Sequence, residues 1–293
     1  MSNFFDFDEI KKVSGDPFAQ TSAFKVDDRF YTLPKDEKGE GIALIAFVPD
    51  PERRLIQRMY KINSSVVLPN GKRRFVSEWS PQTIGQPDPF HEAWQKLYNA
   101  GKTDEARQFA RQTRYVTNIK IIKDPRKPEN EGKIFFYEMS QRMVDKIKNA
   151  IEPSQEALGL GEERKEVFNP MKNIVMKLVA KKGANGMLSY DDSAFITSPK
   201  PIYESEEAAV NDIKTNAHCL SDLTKPEAFM SYDELKKKFD WLTGAEAQEA
   251  KTEVVEVAEP KQETVEVAEP KPEPKPETKK IGSVDDLLDD LLG

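Results

Sequence analysis

Short runs of β-branched and aromatic residues, separated by turn-forming stretches, recur through the first two thirds of the chain. They stand at positions 42–48, 115–122, 134–137 and 173–180, and Gly, Pro, Asn or Asp lie between them. Runs of this length and composition are typical of strands, which place successive side chains on opposite faces of a sheet. The pattern predicts a mainly β protein.

Turn signals join several of these runs into hairpins. Asn70-Gly71 interrupts the apolar stretch at 66–76, and this dipeptide readily adopts the positive φ angles of a tight hairpin turn. The connector DPRKPENEG at 124–132 separates the next two runs and predicts a second hairpin. A glycine-containing turn at 35–41 predicts a third hairpin within residues 30–49.

Helical signals are few and lie beside the predicted strands. Ser140 is the predicted N-cap of a helix that extends to about residue 151 and packs its apolar side chains in the core. Ser231 is followed three residues later by Glu234, which forms a capping box and predicts a helix in the closing segment at 206–243.

The segment at 107–127 is strongly basic. It holds seven Lys or Arg and a single acid, Asp124. In the next predicted strand, Lys133, Phe135 and Tyr137 share one face. A sheet face that combines rings with cations suits an unpaired nucleic-acid strand, because bases stack on the rings while the cations neutralise phosphates. The alternative is that Phe135 and Tyr137 belong to the core.

The charge is unevenly distributed. The formal net charge is −7, but residues 245–293 hold 14 acids and six bases, so the rest of the chain is close to neutral. The sequence VEVAEPK occurs at 255–261 and again at 265–271, and Pro-Glu-Pro-Lys alternation follows. This composition predicts a disordered linker at 245–280.

The last 13 residues combine acids with leucine pairs. They are too short to form a stable helix alone, so we expect them to fold on a protein partner. The predicted partner-binding residues are Asp285, Asp286, Leu287, Leu288, Asp289, Asp290, Leu291 and Leu292.

Composition excludes several classes of protein. The chain has no run of 18 apolar residues, which predicts that it does not enter a membrane. Its single cysteine, Cys219, excludes an internal disulfide framework and suits a reducing cytoplasm. Nothing in the sequence resembles a phosphate-cradling glycine loop or a nucleophile–base pair, so we expect no enzymatic activity.

Three segments resemble the single-stranded DNA-binding (helix-destabilising) proteins of T-even-type bacteriophages. They are YVTN at 115–118, KDPRKPENEGK at 123–133 and FY at 136–137. The resemblance extends from about Phe30 to the C-terminus. It implies an OB-fold core with peripheral helices, and cooperative, largely sequence-independent binding that protects and organises single-stranded DNA. The implied setting is phage replication, recombination and repair in the cytoplasm of the infected bacterial host.

The resemblance also implies partners and a division of the chain. The implied partners are the phage polymerase, helicase loader, recombinase and recombinase mediator, recruited through the acidic tail. An N-terminal arm at 1–25 is expected to mediate self-association along DNA, although it is less basic than the arms of the family. The DNA-binding core is expected at 26–244, with a subdomain at about 60–105, followed by the linker at 245–280 and the acidic peptide at 281–293.

The family holds a structural zinc ion through one histidine and three cysteines. By alignment those positions fall near Ser65, Ser77 or Glu78, Gln86 and Pro89, so this chain offers none of the thiolates. We therefore expect no metal and no other cofactor, and expect apolar packing to order the subdomain. The expected contributors are Trp79, Phe90, Trp94 and Leu97.

The predicted DNA-binding residues are cations of the basic stretch, of the next predicted strand and of the hairpin at 66–76, together with four tyrosines. The tyrosines are expected to stack on bases, and the cations to form an electrostatic groove. The candidates are Arg73, Arg74, Tyr98, Arg111, Arg114, Tyr115, Lys120, Lys123, Lys133, Tyr137 and Tyr190.

Two other functions fit the same sequence. The physics of stacking and phosphate contacts applies equally to a single-stranded RNA-binding OB protein. An adaptor that binds no nucleic acid and acts through its terminal peptides is the second alternative. A titration with a poly-dT oligomer separates the adaptor from the other two.

Overall fold

A long central strand, β4 (Gln112–Lys123), pairs with neighbours along both of its edges. One edge pairs with β5, and the other pairs first with β2 and then with β1. The computed structural model describes residues 27–68, 70–183 and 186–245. The predictions for the arm at 1–25, for all but the first residue of the linker at 245–280 and for the peptide at 281–293 therefore lie outside the described residues.

Eight strands form one open antiparallel sheet in the order β3-β2-β4-β1-β6-β7, with β5 paired to β4 and β8 paired to β6. The mainly β fold is thereby confirmed, while the pairing is that of an open sheet and does not confirm an OB fold in detail. The remaining strands are β1 Gly41–Val48, β2 Gln57–Val67, β3 Arg73–Trp79, β5 Ile134–Met139, β6 Ile174–Lys182, β7 Leu188–Ser189 and β8 Ala194–Thr197.

Helices lie at the periphery of the sheet, as predicted. They are α1 Pro89–Asn99, α2 Thr103–Ala106, α3 Gln141–Ile151, α4 Gln155–Gly159, α5 Glu206–Asn216 and α6 Tyr232–Thr243. Short 3-10 segments connect them at Pro81–Ile84, Arg107–Phe109, Pro128–Asn130, Pro170–Lys172, Leu220–Thr224 and Pro226–Ala228. Ser140 occupies the N-cap of α3, and the capping box of Ser231 and Glu234 at α6 is confirmed.

Strand β4 is covered on both faces. Its residues Val116, Thr117, Asn118 and Ile119 are all fully buried. On one side Ile119 joins the main core, which α3 closes with Met143, Val144 and Ile147. On the other side Val116 packs in a second cluster, with Met59, Phe136, Leu220 and Leu223. A strand buried on both faces is fixed in register, because a slip of one residue would exchange its two sets of side chains.

A third core holds the β2–β3 hairpin against α1 and α6. Ile62 and Val76 of the hairpin meet Phe90 of α1, and the buried Leu235 and Leu242 of α6 complete the cluster. Asp88 caps α1 by accepting hydrogen bonds from the backbone N–H groups of Phe90, at 2.8 Å, and of the next residue. Apolar packing therefore holds this part of the chain together.

Two of the three predicted hairpins are confirmed. At Asn70-Gly71 the chain reverses between β2 and β3, and Gly71 has a φ of 78°. The β4–β5 hairpin spans the predicted connector. The hairpin predicted within residues 30–49 is wrong: β1 forms, but Phe30 makes only an isolated parallel bridge to Phe136. Its segment instead covers the edge of β5, because Tyr31 donates its backbone N–H to the Phe136 carbonyl at 2.8 Å.

The connector between β4 and β5 is organised around the buried carboxylate of Asp124. This carboxylate accepts hydrogen bonds from the backbone N–H groups of Arg126 at 3.2 Å and Lys127 at 3.0 Å. It also accepts the Tyr31 hydroxyl at 2.9 Å, and burial together with that hydrogen bond raises the pKa of Tyr31. Asp124 thus joins the turn of the hairpin to the segment that covers β5.

We expect Asp124→Ala to destabilise the protein, because it leaves the buried Tyr31 hydroxyl and two turn amides without their acceptor. The free energy of unfolding should fall by roughly 1–3 kcal/mol in urea denaturation. Glu129→Ala, an exposed acid in the same connector, is the matched control and should change stability little. Equal effects of the two substitutions would contradict this role for Asp124.

Candidate nucleic-acid interface

The alternation of side chains along β4 divides the basic segment between two faces of the sheet. Tyr115 points toward α3, and its hydroxyl donates to the Gln141 side-chain oxygen at 2.6 Å. Arg114 points to the opposite face, where its Nε lies 3.4 Å from Glu138. The cations and rings of this segment therefore do not line a single trough.

Two of the predicted binding residues are engaged inside the protein. Tyr137 is 7% exposed and packs in the main core, so the alternative interpretation is correct for this residue. The Lys120 side chain is 13% exposed, with its Nζ 2.6 Å from Asp212 and 4.6 Å from the centre of the Tyr203 ring. A ring and a cation held in this way are not available to a strand at the surface.

Tyr190 lies beside the main core. It is partly buried against that core, and burial raises its pKa. Lys146 of α3 holds the loop that follows Tyr190, donating to the carbonyl oxygens of Asp191 at 2.6 Å and Ser193 at 3.0 Å. The ring therefore stands at the rim of the sheet and not at its centre.

Three other predicted cations are exposed: Lys123 and Lys133 lie at the β4–β5 connector, and Arg73 lies on the β2–β3 hairpin. Lys123 is 3.0 Å from Glu131 in the connector, and Lys133 lines a cleft beside Arg29 and Phe135. On the β2–β3 hairpin, Arg73 donates to the Ser65 hydroxyl at 3.0 Å. Its neighbour Arg74 points to the other face of the hairpin.

The Arg74 side chain makes its contacts with helix α6. Its guanidinium lies 4.9 Å from the centre of the Trp241 ring and donates a hydrogen bond to the Trp241 carbonyl. These contacts give Arg74 a structural role, because they join the hairpin to α6.

Helix α1 carries a stack of three rings along one face. His91 and Trp94 are stacked with centroids 5.3 Å apart and planes 12° apart, and Trp94 and Tyr98 are stacked at 5.3 Å and 20°. The residues are three and four positions apart, which places them on one face of the helix. Tyr98 ends the stack and is 47% exposed.

A second group of rings and cations lies on the adjoining part of the sheet. The Arg111 guanidinium is 4.1 Å from the centre of the Tyr60 ring, and Arg58 approaches the same ring at 5.4 Å. Arg111 also donates to the Gln82 side-chain oxygen at 3.1 Å. Arg58 is the cross-strand neighbour of Tyr115, so the predicted ring of β4 adjoins this group.

The positive charge of Arg111 also acts on His91, the first ring of the stack. Burial lowers the pKa of His91, and the positive charge of Arg111 lowers it further, whereas Asp88 and Glu92 oppose the shift. His91 therefore presents a neutral ring at pH 7. We call the combined set the aromatic–cation ladder; it consists of Arg58, Tyr60, Arg111, His91, Trp94 and Tyr98.

Sequence analysis identified only Tyr98 and Arg111 of this ladder. The helical spacing of His91, Trp94 and Tyr98 was a usable signal, but Trp94 was assigned to packing alone. It does pack against the third core, as predicted, and it also carries the stack. No local sequence pattern identified Tyr60 or Arg58, because only strand pairing brings them close to Arg111.

The donor groups of the subdomain do not fit the zinc ion that the family resemblance implies. The positions near Ser65, Ser77, Gln86 and Pro89 supply no thiolate, whereas structural zinc sites are built from thiolate and imidazole ligands. Within residues 27–68, 70–183 and 186–245, no three His, Cys, Asp or Glu side chains are grouped to hold a metal. Asp88, the buried acid of this region, instead caps α1 and accepts a hydrogen bond from Ser80.

Comparison with known proteins identifies the family. The model of the family described as gp32 DNA binding protein like matches residues 39–243, more than half of the chain. The chain belongs to this family. It is 30% identical over 220 residues to the single-stranded DNA-binding protein of Enterobacteria phage T4, covering 73% of this chain and 70% of that protein. The corresponding protein of phage T2 is also 30% identical, over 223 residues, with 74% and 70% covered.

The family match covers every residue of the aromatic–cation ladder and the nine other residues predicted from the sequence to bind DNA. It ends at residue 243, before the linker and the acidic peptide. In the described parts of this family member, no helix has the length and apolar character needed to cross a membrane.

Proposed function

We propose that this chain binds single-stranded DNA cooperatively and largely independently of sequence, and that the aromatic–cation ladder is its primary contact. One observation carries the proposal: a member of a DNA-binding family has a stack of three rings on α1 and a tyrosine of β2 flanked by two guanidinium groups. The protein then acts by binding and not as an enzyme. Its setting is phage DNA replication, recombination and repair in the infected host cell, in keeping with its phage relatives.

The chemistry of the ladder suits an unpaired strand. Each base has a π-face, so stacking on a ring stabilises the complex by about 1–3 kcal/mol whatever the base. Tyr98 extends the existing stack outward, which favours addition of a base in the same orientation. Arg111 and Arg58 supply the positive charge that a phosphate needs. Binding through these contacts is insensitive to sequence and sensitive to salt.

The geometry supports some of the predicted binding residues more than others. Tyr115 adjoins the ladder through Arg58, and we keep it as a contact at the rim. Tyr190, Lys123, Lys133 and Arg73 remain proposed contacts farther from the ladder. The burial of Tyr137 and the ion pairs of Lys120 and Arg114 favour structural roles for these three residues.

RNA binding and a purely adaptor role are less well supported. Stacking and phosphate contacts do not distinguish RNA from DNA, but the relatives are named as single-stranded DNA-binding proteins. Competition between dT and U oligomers of equal length tests this preference. A purely adaptor role does not explain the presence of the ladder. Binding of dT oligomers to the protein at low salt would exclude that role.

We also propose, from the sequence alone, that the acidic peptide at 281–293 recruits replication and recombination proteins. Its acids and paired leucines match the chemistry of a segment that folds on a partner. The polymerase, helicase loader, recombinase and recombinase mediator are the proposed partners. Self-association along DNA through the arm at 1–25 belongs to the same proposal.

We propose further that the subdomain folds without zinc. The third core buries Phe90 and Leu235 completely or nearly so, and Asp88 fixes the start of α1. These contacts support the proposal that apolar packing holds the subdomain in its folded conformation. A metal site would need ligands that this region does not supply.

Tyr98→Ala is expected to weaken binding to a dT oligomer by about 1–3 kcal/mol, because it removes the outermost ring of the stack. The salt dependence should not change, since no phosphate contact is lost. Fluorescence titration at several salt concentrations measures both quantities. Tyr98→Phe keeps the ring and should bind like the wild type; if it fails as the alanine variant does, stacking is not the contribution of Tyr98.

Arg111→Ala is expected to weaken binding and to reduce the slope of log K against log salt by about one phosphate contact. The same salt titration measures the slope. Lys127→Ala is the matched control, because Lys127 is an exposed cation of the same basic segment that lies in the β4–β5 connector. A slope that changes equally in both variants would show general electrostatics instead of a contact at the ladder.

Removal of metal is expected to leave the protein folded. The melting temperature of protein purified from zinc-supplemented cells should be the same before and after treatment with excess EDTA, as followed by circular dichroism. Phe90→Ala is the positive control and should lower stability by roughly 3–5 kcal/mol through the cavity it creates. A fall in melting temperature with EDTA, together with release of zinc, would refute the proposal.

A further inference from the structure

The β2–β3 hairpin has two faces, and at its tip only one of them is covered by helices. Ile62 and Val76 face α1 and α6 in the third core. The side chains of the opposite face alternate with these along both strands. At the tip of that opposite face Val67 is 65% exposed and Phe75 is 51% exposed. We call this face the outer face of the hairpin; it carries Lys61, Asn63, Val67, Arg73, Phe75 and Trp79.

At the tip of the outer face, a cation lies beside an exposed ring. Arg73 and Phe75 are two residues apart on β3, so their side chains are neighbours on one face, about 6.6–6.8 Å apart along the strand. Arg73 is held by its hydrogen bond to Ser65, which lies directly opposite Phe75 on β2. The ring therefore has an exposed surface and a guanidinium next to it.

The base of the outer face is also cationic. The Lys61 Nζ lies 4.8 Å from the centre of the Trp79 ring and 2.5 Å from Glu138. Arg114 approaches the same carboxylate at 3.4 Å and donates to the Gln112 side-chain oxygen at 2.6 Å. At this end of the face the two cations share one carboxylate, and Trp79 packs against the second cluster, so the open part of the outer face is its tip.

This chemistry favours a nucleic-acid strand over a protein. The exposed large apolar side chains at the tip are Val67 and Phe75, whereas a specific protein interface buries about 800 Å² on each partner around an apolar core. Rings interleaved with Arg and Lys are instead the elements with which proteins bind unpaired strands. The arrangement repeats the chemistry of the ladder on another surface.

We propose that the outer face of the hairpin is a second contact surface for single-stranded DNA, engaged by strands long enough to extend beyond the ladder. Phe75 stacks on a base, and the exposed Arg73 beside it neutralises a phosphate. The inference rests on the proposed DNA-binding function, but it concerns residues that the ladder does not use. The contribution of this surface to affinity therefore depends on the length of the DNA strand.

Phe75→Ala and Arg73→Ala test the proposal against two lengths of DNA. The full-length variants are titrated with dT oligomers of about 6 and about 16 nucleotides, which span the site sizes of single OB folds. Loss of Phe75 should weaken binding of the longer oligomer roughly 5- to 150-fold and leave the shorter one unchanged. Val67→Ala removes an exposed side chain from the same face without removing a ring or a charge, and should bind both oligomers like the wild type.

A crosslinking experiment gives an independent readout. Oligomers of the two lengths carrying 5-iododeoxyuridine are irradiated with the wild-type protein, and the modified peptide is sequenced. We expect a crosslink at Phe75 with the longer oligomer only. Crosslinks confined to the ladder would overturn the proposal.

Other outcomes separate this inference from the proposed function. If the wild type binds neither oligomer at low salt, the proposed function itself fails. If the wild type binds both and the Phe75 and Arg73 variants behave identically to it, only the second surface is refuted. If either variant loses self-association of the free protein while keeping its affinity for both oligomers, the outer face contacts a second copy of the chain and not DNA.

Discussion

The structure depends on one constraint, the burial of β4 on both faces. Four successive residues of this strand are inaccessible to solvent, and three other strands pair with it. Because neighbouring side chains of a strand point in opposite directions, every polar residue of β4 is committed to one side or the other. Tyr115 therefore lies on the face that carries Arg58 and Tyr60 of the ladder. Arg114 and Lys120 lie on the opposite face, where they pair with Glu138 and Asp212.

The ladder follows from how α1 is attached to the sheet. Phe90 and the Asp88 cap fix the start of the helix on the β2–β3 hairpin, and the ring stack lies along one face of that helix. Arg111 lies just before β4 and reaches Tyr60 of β2. The apolar third core thus positions the helix that carries the ring stack. The α1 rings that are proposed to stack on bases are consequently held in place by the packing and capping of α1.

The sequence motif that most clearly resembles the phage family has a structural explanation. KDPRKPENEGK is the β4–β5 connector, and its aspartate is a buried acceptor for two turn amides and the Tyr31 hydroxyl. Its lysines and arginine lie at the surface, but the motif is not part of the ladder. A long motif can therefore mark common ancestry through the demands of a turn, while the proposed binding surface is assembled from residues with no such pattern.

Local physics was enough to predict strands β1, β4, β5 and β6, the Asn70-Gly71 and β4–β5 hairpins, the helix after Ser140 and the Ser231 capping box. Each of these depends on residues close together in the chain, and so does the basic character of the segment at 107–127. Tertiary structure alone decided that Tyr137 is in the core and that Lys120 is paired with Asp212, 92 residues away. It also decided that Arg111 lies against the ring of Tyr60 on strand β2. Those outcomes depend on which strands pair and which face a helix covers, and these are contacts between residues distant in sequence that no local pattern encodes.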